Sequence, residues 1–231
     1  MGGRLGLFAL CVSVLFSSGC GSSSSSTNTA QLRVFHGAFG VFALNILVNG
    51  TTVAGNVNYG AATAYLTVTS GSIHVQAVPV SGGSPILDQT LTIAASAHQT
   101  ILITGTRSNV HADVLTDGGT TAVSGSGYVR VVNASNTMVA SDVYIVNPTT
   151  GLTGAMPVTK SPLAFGADTG YQVFPLGGYE VFFTNPGTVI VNLATGPLDL
   201  TSSGSLTSTT QTVVAFDAIS GGFTYIVFSD Q

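Results

Sequence analysis

The residues with any claim to chemistry are few. His36, His74, His98 and His111 are the histidines of the chain. A zinc site would need three or four N, S or O ligands with closely spaced pairs. His111 and Asp113 share a strand face by spacing, but no third ligand stands near them in the sequence. His36, at a strand end, reads as a structural histidine donating to a backbone carbonyl. No Gly-x-Ser-x-Gly elbow, phosphate loop or dinucleotide fingerprint is present. With so many serines, a Ser-His-Asp composition carries no information. No pair of carboxylates recurs along the chain to serve as a glycosidase dyad. The polar residues that do recur are Arg33 with Asn45 and Arg130 with Asp142. They read as a hydrogen bond tying a first strand to a second, because an arginine fork accepts an amide or a carboxylate alike. The competing reading is a polar recognition patch. The chain is therefore expected to be non-enzymatic, with no catalytic residue, metal or cofactor.

The elements that carry those arginines repeat. Leu32-Arg33-Val34-Phe35-His36 precedes Asn45-Ile46-Leu47-Val48-Asn49, and Val129-Arg130-Val131-Val132-Asn133 precedes Asp142-Val143-Tyr144-Ile145-Val146. Arg33 and Arg130 are 97 positions apart, as are Asn45 and Asp142. Further on, Tyr65 returns as Tyr171, and Ile73, Val75 and Ala77 as Tyr179, Val181 and Phe183, at an offset of 106. Gln99-Thr100-Ile101-Leu102 returns as Gln211-Thr212-Val213-Val214, and Leu115-Thr116-Asp117 as Phe228-Ser229-Asp230. Ordered matches from first strand to last indicate duplication. The change of offset from 97 to 106 places a nine-residue insertion around Thr149 to Pro162.

Short runs of Val, Ile, Thr, Tyr and Phe alternate with Gly, Asn, Ser and Pro every eight to twelve residues, the pattern of an all-β sandwich or barrel. Asn49-Gly50 is a strong hairpin signal, since both residues tolerate positive φ. Ile73, Val75 and Ala77 take one face of their strand and Ser72, His74 and Gln76 the wet one. No stretch of ten residues or more carries a helical period. The expected organisation is a signal peptide over 1–19, a tether over 20–29, a first module over 30–118, a linker over 119–126 and a second module over 127–231. Each module is expected to be an immunoglobulin-like sandwich of about seven strands.

Of 231 residues, 45% are apolar and only 6% charged, with a net charge of −4. An ordinary soluble domain has roughly 25% charged residues. The solvated surface must then be Ser, Thr, Asn, Gln and Gly. Beyond the export signal the basic residues are Arg33, Arg107, Arg130 and Lys160 against nine acids. No basic stripe exists for nucleic acid, and no polybasic segment for anionic lipid.

Arg4 followed by the apolar run Leu5 to Phe16 is too short to span a bilayer and suits a signal-peptide core. Ser18-Gly19-Cys20 resembles a bacterial lipobox, which implies a diacylated Cys20 at the mature N-terminus, although Ser17 stands where Leu is usual. With Cys11 removed, Cys20 is the only thiol, so no intrachain disulfide can form. Gly21 to Thr29, nearly all Ser and Thr, behaves as a flexible tether. Gly21 in place of Asp resembles sorting to the outer membrane if the source is Gram-negative.

Leu-Arg-Val-Phe-His at 32–36, an Asn or Asp opening the next strand, Tyr65 and a late apolar strand together resemble the domain of unknown function 4397 family. The likeness covers residues 30 to 231. His36 is replaced by Asn133 in the second copy, and Asn45 stands where Asp is usual. The resemblance implies secreted or surface-attached modules, often in tandem, and no activity. The expected function is a lipid-anchored envelope protein that recognises or adheres through its modules, with a glycan or an envelope protein as ligand. The alternatives are a carbohydrate-binding accessory module and a self-assembling envelope spacer. The contact region is expected in the insertion, at Thr149, Gly151 and Lys160, because loops on a rigid scaffold carry function.

Overall fold

The structure is a computed structural model that describes residues 2, 28–119, 123–201 and 208–230. The expected signal peptide, with Cys20 and most of the expected tether, falls outside the described residues. Every regular element described is a β-strand.

The first half contributes β1 (Thr29–His36), β2 (Ala43–Val48), β3 (Thr51–Asn58), β4 (Leu66–Thr69), β5 (Gly71–Pro79), β6 (Leu87–Ile93), β7 (His98–Thr106) and β8 (Asn109–Asp117). They form two four-stranded sheets, ordered β4-β1-β7-β8 and β3-β2-β5-β6. The second half contributes β9 (Ser126–Asn133), β10 (Asp142–Val146), β11 (Gln172–Pro175), β12 (Gly178–Thr184), β13 (Val191–Ala194), β14 (Leu198–Asp199), β15 (Ser208–Asp217) and β16 (Phe223–Asp230). Its sheets are β11-β9-β15-β16 and β10-β12-β13, with β14 also paired to β12. Among the described residues no sheet takes strands from both halves. Each half is a two-sheet sandwich, and the orders β4-β1-β7-β8 and β11-β9-β15-β16 correspond strand for strand. In both, the first strand lies parallel to the seventh and the remaining neighbours are antiparallel.

Each half has eight described strands where about seven were expected; in the first, Asn49 and Gly50, at φ 49° and 78°, fold β3 back onto β2. The second half has no counterpart of β3. The insertion runs along the vacant edge of β10 instead, with Val158 N–H donating to Val143 O at 2.8 Å and Leu163 paired to Ser141. This explains why all five residues of β10 are buried although it is a sheet edge. The segment satisfies backbone groups that a bare edge would leave open to another chain.

Alternation along β1 and β9 sets the layers. Leu32 and Val34 enter the core of the first sandwich, and Val129 and Val131 that of the second. The intervening residues Arg33 and Phe35, and Arg130 and Val132, turn toward the opposite half. There Phe35, Leu102, Val132, Ala134, Val214, Phe216 and Phe228 form a third apolar cluster between the sandwiches. Arg33 reaches Asp230 at one end of this joint, and Tyr59 reaches Asp217 at the other, so β1 and β9 run the same way across it.

Candidate functional site

The arginines singled out by recurrence meet at the joint. Arg33 donates from Nε to Thr100 Oγ1 (2.9 Å), from Nη1 to Ser229 O (3.2 Å), and from Nη2 to Asp230 Oδ1 (2.5 Å) and Asp117 Oδ2 (3.3 Å). Arg130 donates from Nε to Thr212 Oγ1 (3.0 Å), from Nη1 to Thr116 O (2.8 Å) and from Nη2 to Asp117 Oδ1 (2.5 Å). Thr100 and Tyr65 donate to Asp117 Oδ2, and Thr212 and Tyr171 to Asp230 Oδ2. Each guanidinium also lies over a tyrosine of its own half, Arg33 at 4.8 Å from the Tyr65 ring centre and Arg130 at 4.6 Å from that of Tyr171. The two arginines and two aspartates are at most 6% exposed in their side chains. Burial first, and the adjacent Asp117 second, raise the Tyr65 phenol. Burial raises the Tyr171 phenol to about 12, with Arg130 opposing. Both tyrosines therefore stay protonated as donors.

This overturns the expected pairs. Arg33 does not bond Asn45, nor Arg130 Asp142. Strand alternation points both arginines out of their own sandwich, whereas Asn45 and Asp142 lie on the other sheet. Asn45 Oδ1 accepts from Asn56 N–H (3.0 Å) and Asp142 Oδ2 from Gly187 N–H (2.7 Å). The true partners, Asp117 and Asp230, do recur as one carboxylate per half. The match of Leu115-Thr116-Asp117 with Phe228-Ser229-Asp230 carried that signal. Four buried charges that satisfy one another fix geometry and offer nothing to a substrate.

The histidines occupy separate places. His36 is buried in the first half, where Nδ1 accepts the Ala38 N–H (3.3 Å). Its Nε2 then carries the proton and lies toward the Val41 carbonyl without a well-formed hydrogen bond. Acceptance at Nδ1 accompanies the expected approach of the other ring nitrogen to a backbone carbonyl. Burial lowers its pKa to about 4, partly offset by that carbonyl, so the ring is neutral at physiological pH. Asn133 fills the same position in the second half, accepting from Ser135 N–H and donating to Leu163 O. His74 and Gln76 both hold Asp88 on the wet face of β5 and β6, at 2.5 and 2.9 Å. His98 packs on Tyr65, and His111 lies 3.5 Å from Asp113. Among the described residues no group of three His, Cys, Asp or Glu is placed to hold a metal.

At the other end of the joint, beyond the close of β1 and β9, lies a cleft of about 480 Å³. It is lined by Tyr59 and Gly60 from the first half and by Phe216, Asp217, Ile219 and Thr224 from the second. Tyr59 Oη donates to Asp217 O (2.7 Å) across it. The Asp217 carboxylate turns inward. Burial would raise its pKa, but hydrogen bonds from Ser135, Thr137 and Asn136 outweigh that and lower it. Asn136 also crosses to Gly105 O in the first half (3.2 Å). Around the cleft the loops expose apolar side chains. Ile219 of the lining is 67% exposed, and Phe42, whose carbonyl accepts the Tyr59 N–H at 2.7 Å, is 80% exposed. Sequence reasoning missed this site because its walls come from turns far apart in the chain, Tyr59 and Asp217 being separated by 158 positions.

The insertion residues lie elsewhere. Thr149 closes a turn on Asn147 Oδ1 just past the end of β10, Gly151 follows it, and Lys160 is exposed between Val158 and Leu163, which pair with Val143 and Ser141 at the start of that strand.

No curated protein matches the chain. Among solved structures, it is similar to the product complex of a multi-modular glycogen-degrading pneumococcal virulence factor. There the identity is 10% and the TM-score 0.27 over 81% of this chain, which spans 21% of that one's length. It is also similar to family 41 carbohydrate-binding modules from streptococcal virulence factors, with 16% identity, a TM-score of 0.26, and 80% and 93% coverage of the two chains. A family 26 carbohydrate-binding module from Eubacterium rectale, in complex with maltoheptaose, matches with 13% identity, a TM-score of 0.25, and 87% and 96% coverage. The ligands named there belong to those proteins. The sequence itself matches a family profile from the start of β1 through Tyr144, taking in the whole first sandwich and the arginine of the second. Through residues 30–144 the chain belongs to the domain of unknown function (DUF4397) family.

Proposed function

We propose that this protein is a non-enzymatic recognition module of the cell envelope, held by a lipid on Cys20 and binding through the end of the joint farthest from that anchor. The observation that carries the reading is the arrangement at that end. The tether enters at Thr29, and β1 then runs the length of the joint to the cleft. There, Phe42 of the first sandwich, bonded through its carbonyl to Tyr59, and Ile219 of the second are exposed beside a junction held by Asp217 and by the buried arginines. Clefts of a few hundred Å³ between domains, apolar with a few polar groups, are the usual form of a small-ligand site. The lining contributes aromatic carbon, the hydroxyls of Ser220 and Thr224, and no outward-facing charge. An uncharged glycan suits it better than an ionic ligand. The test is an array of neutral and charged glycans, with a panel of purified envelope proteins, probed with the mature chain and with a Phe42→Ser, Ile219→Ser variant. Binding that the variant loses, with thermal stability unchanged, supports the reading. Binding that the variant keeps overturns it, as does self-association with no ligand bound.

A further inference from the structure

The polar joint between the halves has two-fold symmetry in its chemistry. Each half supplies an arginine, a tyrosine, a threonine and an aspartate: Arg33, Tyr65, Thr100 and Asp117 on one side, Arg130, Tyr171, Thr212 and Asp230 on the other. Each arginine bonds its own threonine through Nε, reaches across with Nη1 to the backbone carbonyl preceding the opposite aspartate, and meets that aspartate with Nη2 at 2.5 Å. Each aspartate accepts its own threonine and its own tyrosine on one oxygen and offers the other oxygen across. A face that presents one cation and one anion, and is met by the same pair turned through half a turn, is isologous. The set departs from this symmetry in two contacts: Arg33 Nη2 also bonds its own Asp117 at 3.3 Å whereas Arg130 stays 4.0 Å from Asp230, and Tyr171 Oη accepts the Gly118 N–H.

We infer that each half carries a self-complementary docking face, so that the first half can pair with the first half of a second copy, and the second with the second, through the contacts that now join the two within one chain. In the first homotypic pair Arg33 meets the other copy's Asp117. In the second, Arg130 meets the other copy's Asp230. Charge balances in both. The apolar cluster, the Tyr59–Asp217 and Asn136–Gly105 hydrogen bonds at the far end, and the stacking of Arg33 on Phe228 at 4.2 Å favour the mixed pair. Phe35 lies 5.4 Å from Phe216 and 5.9 Å from Phe228, and edge-to-face rings add to area burial. The positions matching those rings in the first half are Thr104 and Leu115, and Val132 matches Phe35. In the homotypic pairs a large residue therefore meets a smaller one, which redistributes bulk across the joint without removing it. The inference makes one chain a covalent pseudo-dimer, and two chains whose halves have parted a pair of linkable units.

The test uses the whole chain. A protease site is placed between Gly119 and Val123, the folded protein is cut, and the halves are separated in mild urea and returned to buffer. Native mass spectrometry then reads the species. The expected result is the mixed pair together with both homotypic dimers. Asp117→Asn should lower the first-half homodimer roughly a hundredfold and spare the second, and Asp230→Asn should do the reverse, because each leaves buried arginines without their counter-ion. Recovery of the mixed pair alone, or of halves that no longer associate, overturns the inference. So do homotypic dimers that the matching substitution leaves unchanged.

Discussion

At the scale of single residues, the joint depends on arginine rather than on positive charge. Arg33 uses Nε, Nη1 and Nη2 on separate acceptors, a fork that lysine cannot reproduce. Breaking a buried pair by removing one partner costs about 3–5 kcal/mol, because the remaining charge stays buried without compensation. Arg33→Met is therefore expected to destabilise the protein by about that much in urea unfolding. Replacing Arg33, Arg130, Asp117 and Asp230 together by apolar residues should cost less, since no uncompensated charge remains. If the four-fold variant proves weaker than the single one, the network adds net stability.

His36 gives a pH dependence of known sign. Its folded pKa of about 4 lies below the usual 6.5, so between those values the unfolded chain binds the proton and the folded one does not. Stability from this group is complete above the unfolded value. It falls as pH drops through that window, by on the order of 3 kcal/mol, and levels off below the folded value. Asn133 performs the same backbone task without titrating. His36→Asn should thus flatten the profile between pH 7 and 5 while keeping the fold, as measured by urea midpoints at the two pH values. An unchanged slope would assign the acid sensitivity to other groups.

At the scale of elements, two equivalent turns separate strain from collision. Gly60 and Gly166 adopt φ +75° and +76°. A Cβ at Gly60 would lie 2.8 Å from the Phe216 ring of the other half, whereas one at Gly166 meets nothing within 4 Å. Gly166→Ala should cost only the left-handed conformation, about 1–2 kcal/mol. Gly60→Ala should cost that plus about 1–3 kcal/mol of overpacking. Equal losses in parallel urea titrations would mean that the Phe216 ring yields freely and the joint is looser than its rings suggest.

The elements also show what could be read in advance. The all-β class and the hairpin at Asn49-Gly50 were legible, because period-two alternation and turn residues are local signals; the order of strands within the sheets and the docking of one half on the other were not. The place of the insertion was legible too, but its role as cover for the edge of β10 was not. The arginine partners were misread for a related reason. Asn45 and Asp142 are twelve residues from their arginines, while Asp117 and Asp230 are brought close only by the register of β7 with β8 and of β15 with β16, and by the docking of one half on the other. A residue facing out of its own sandwich looks like a surface residue until the second sandwich is in place.

For the whole molecule, the reading of an anchored protein rests first on Cys20. Its acylation is proposed from the apolar run, Ser18-Gly19-Cys20 and the serine tether. Cys20→Ala should move the protein from the detergent phase to the aqueous phase and remove an acyl mass from the mature N-terminus. Unchanged partitioning with an unmodified N-terminus would leave a secreted protein in its place.

The last expectation concerns what such an anchored pair of sandwiches does with its free end. The joint consumes Arg33 and Arg130, so the mature chain retains Arg107 and Lys160 as its other basic residues. With so little charge left outside, long-range steering is weak, and association should depend little on ionic strength. Binding through the cleft should then be nearly the same in low and in high salt, measured by calorimetry with whichever glycan the array selects, and should fail with Phe42→Ser, Ile219→Ser. The insertion offers the competing contact region, and Lys160→Ala is the discriminating variant. Deleting Gly151 to Lys160 is less suitable, because it strips the cover from β10, whose buried edge would then be open to another chain. A ligand whose affinity falls steeply with salt and with Lys160→Ala, yet is indifferent to Phe42 and Ile219, would move the recognition surface from the far end of the joint to the flank of the second sandwich.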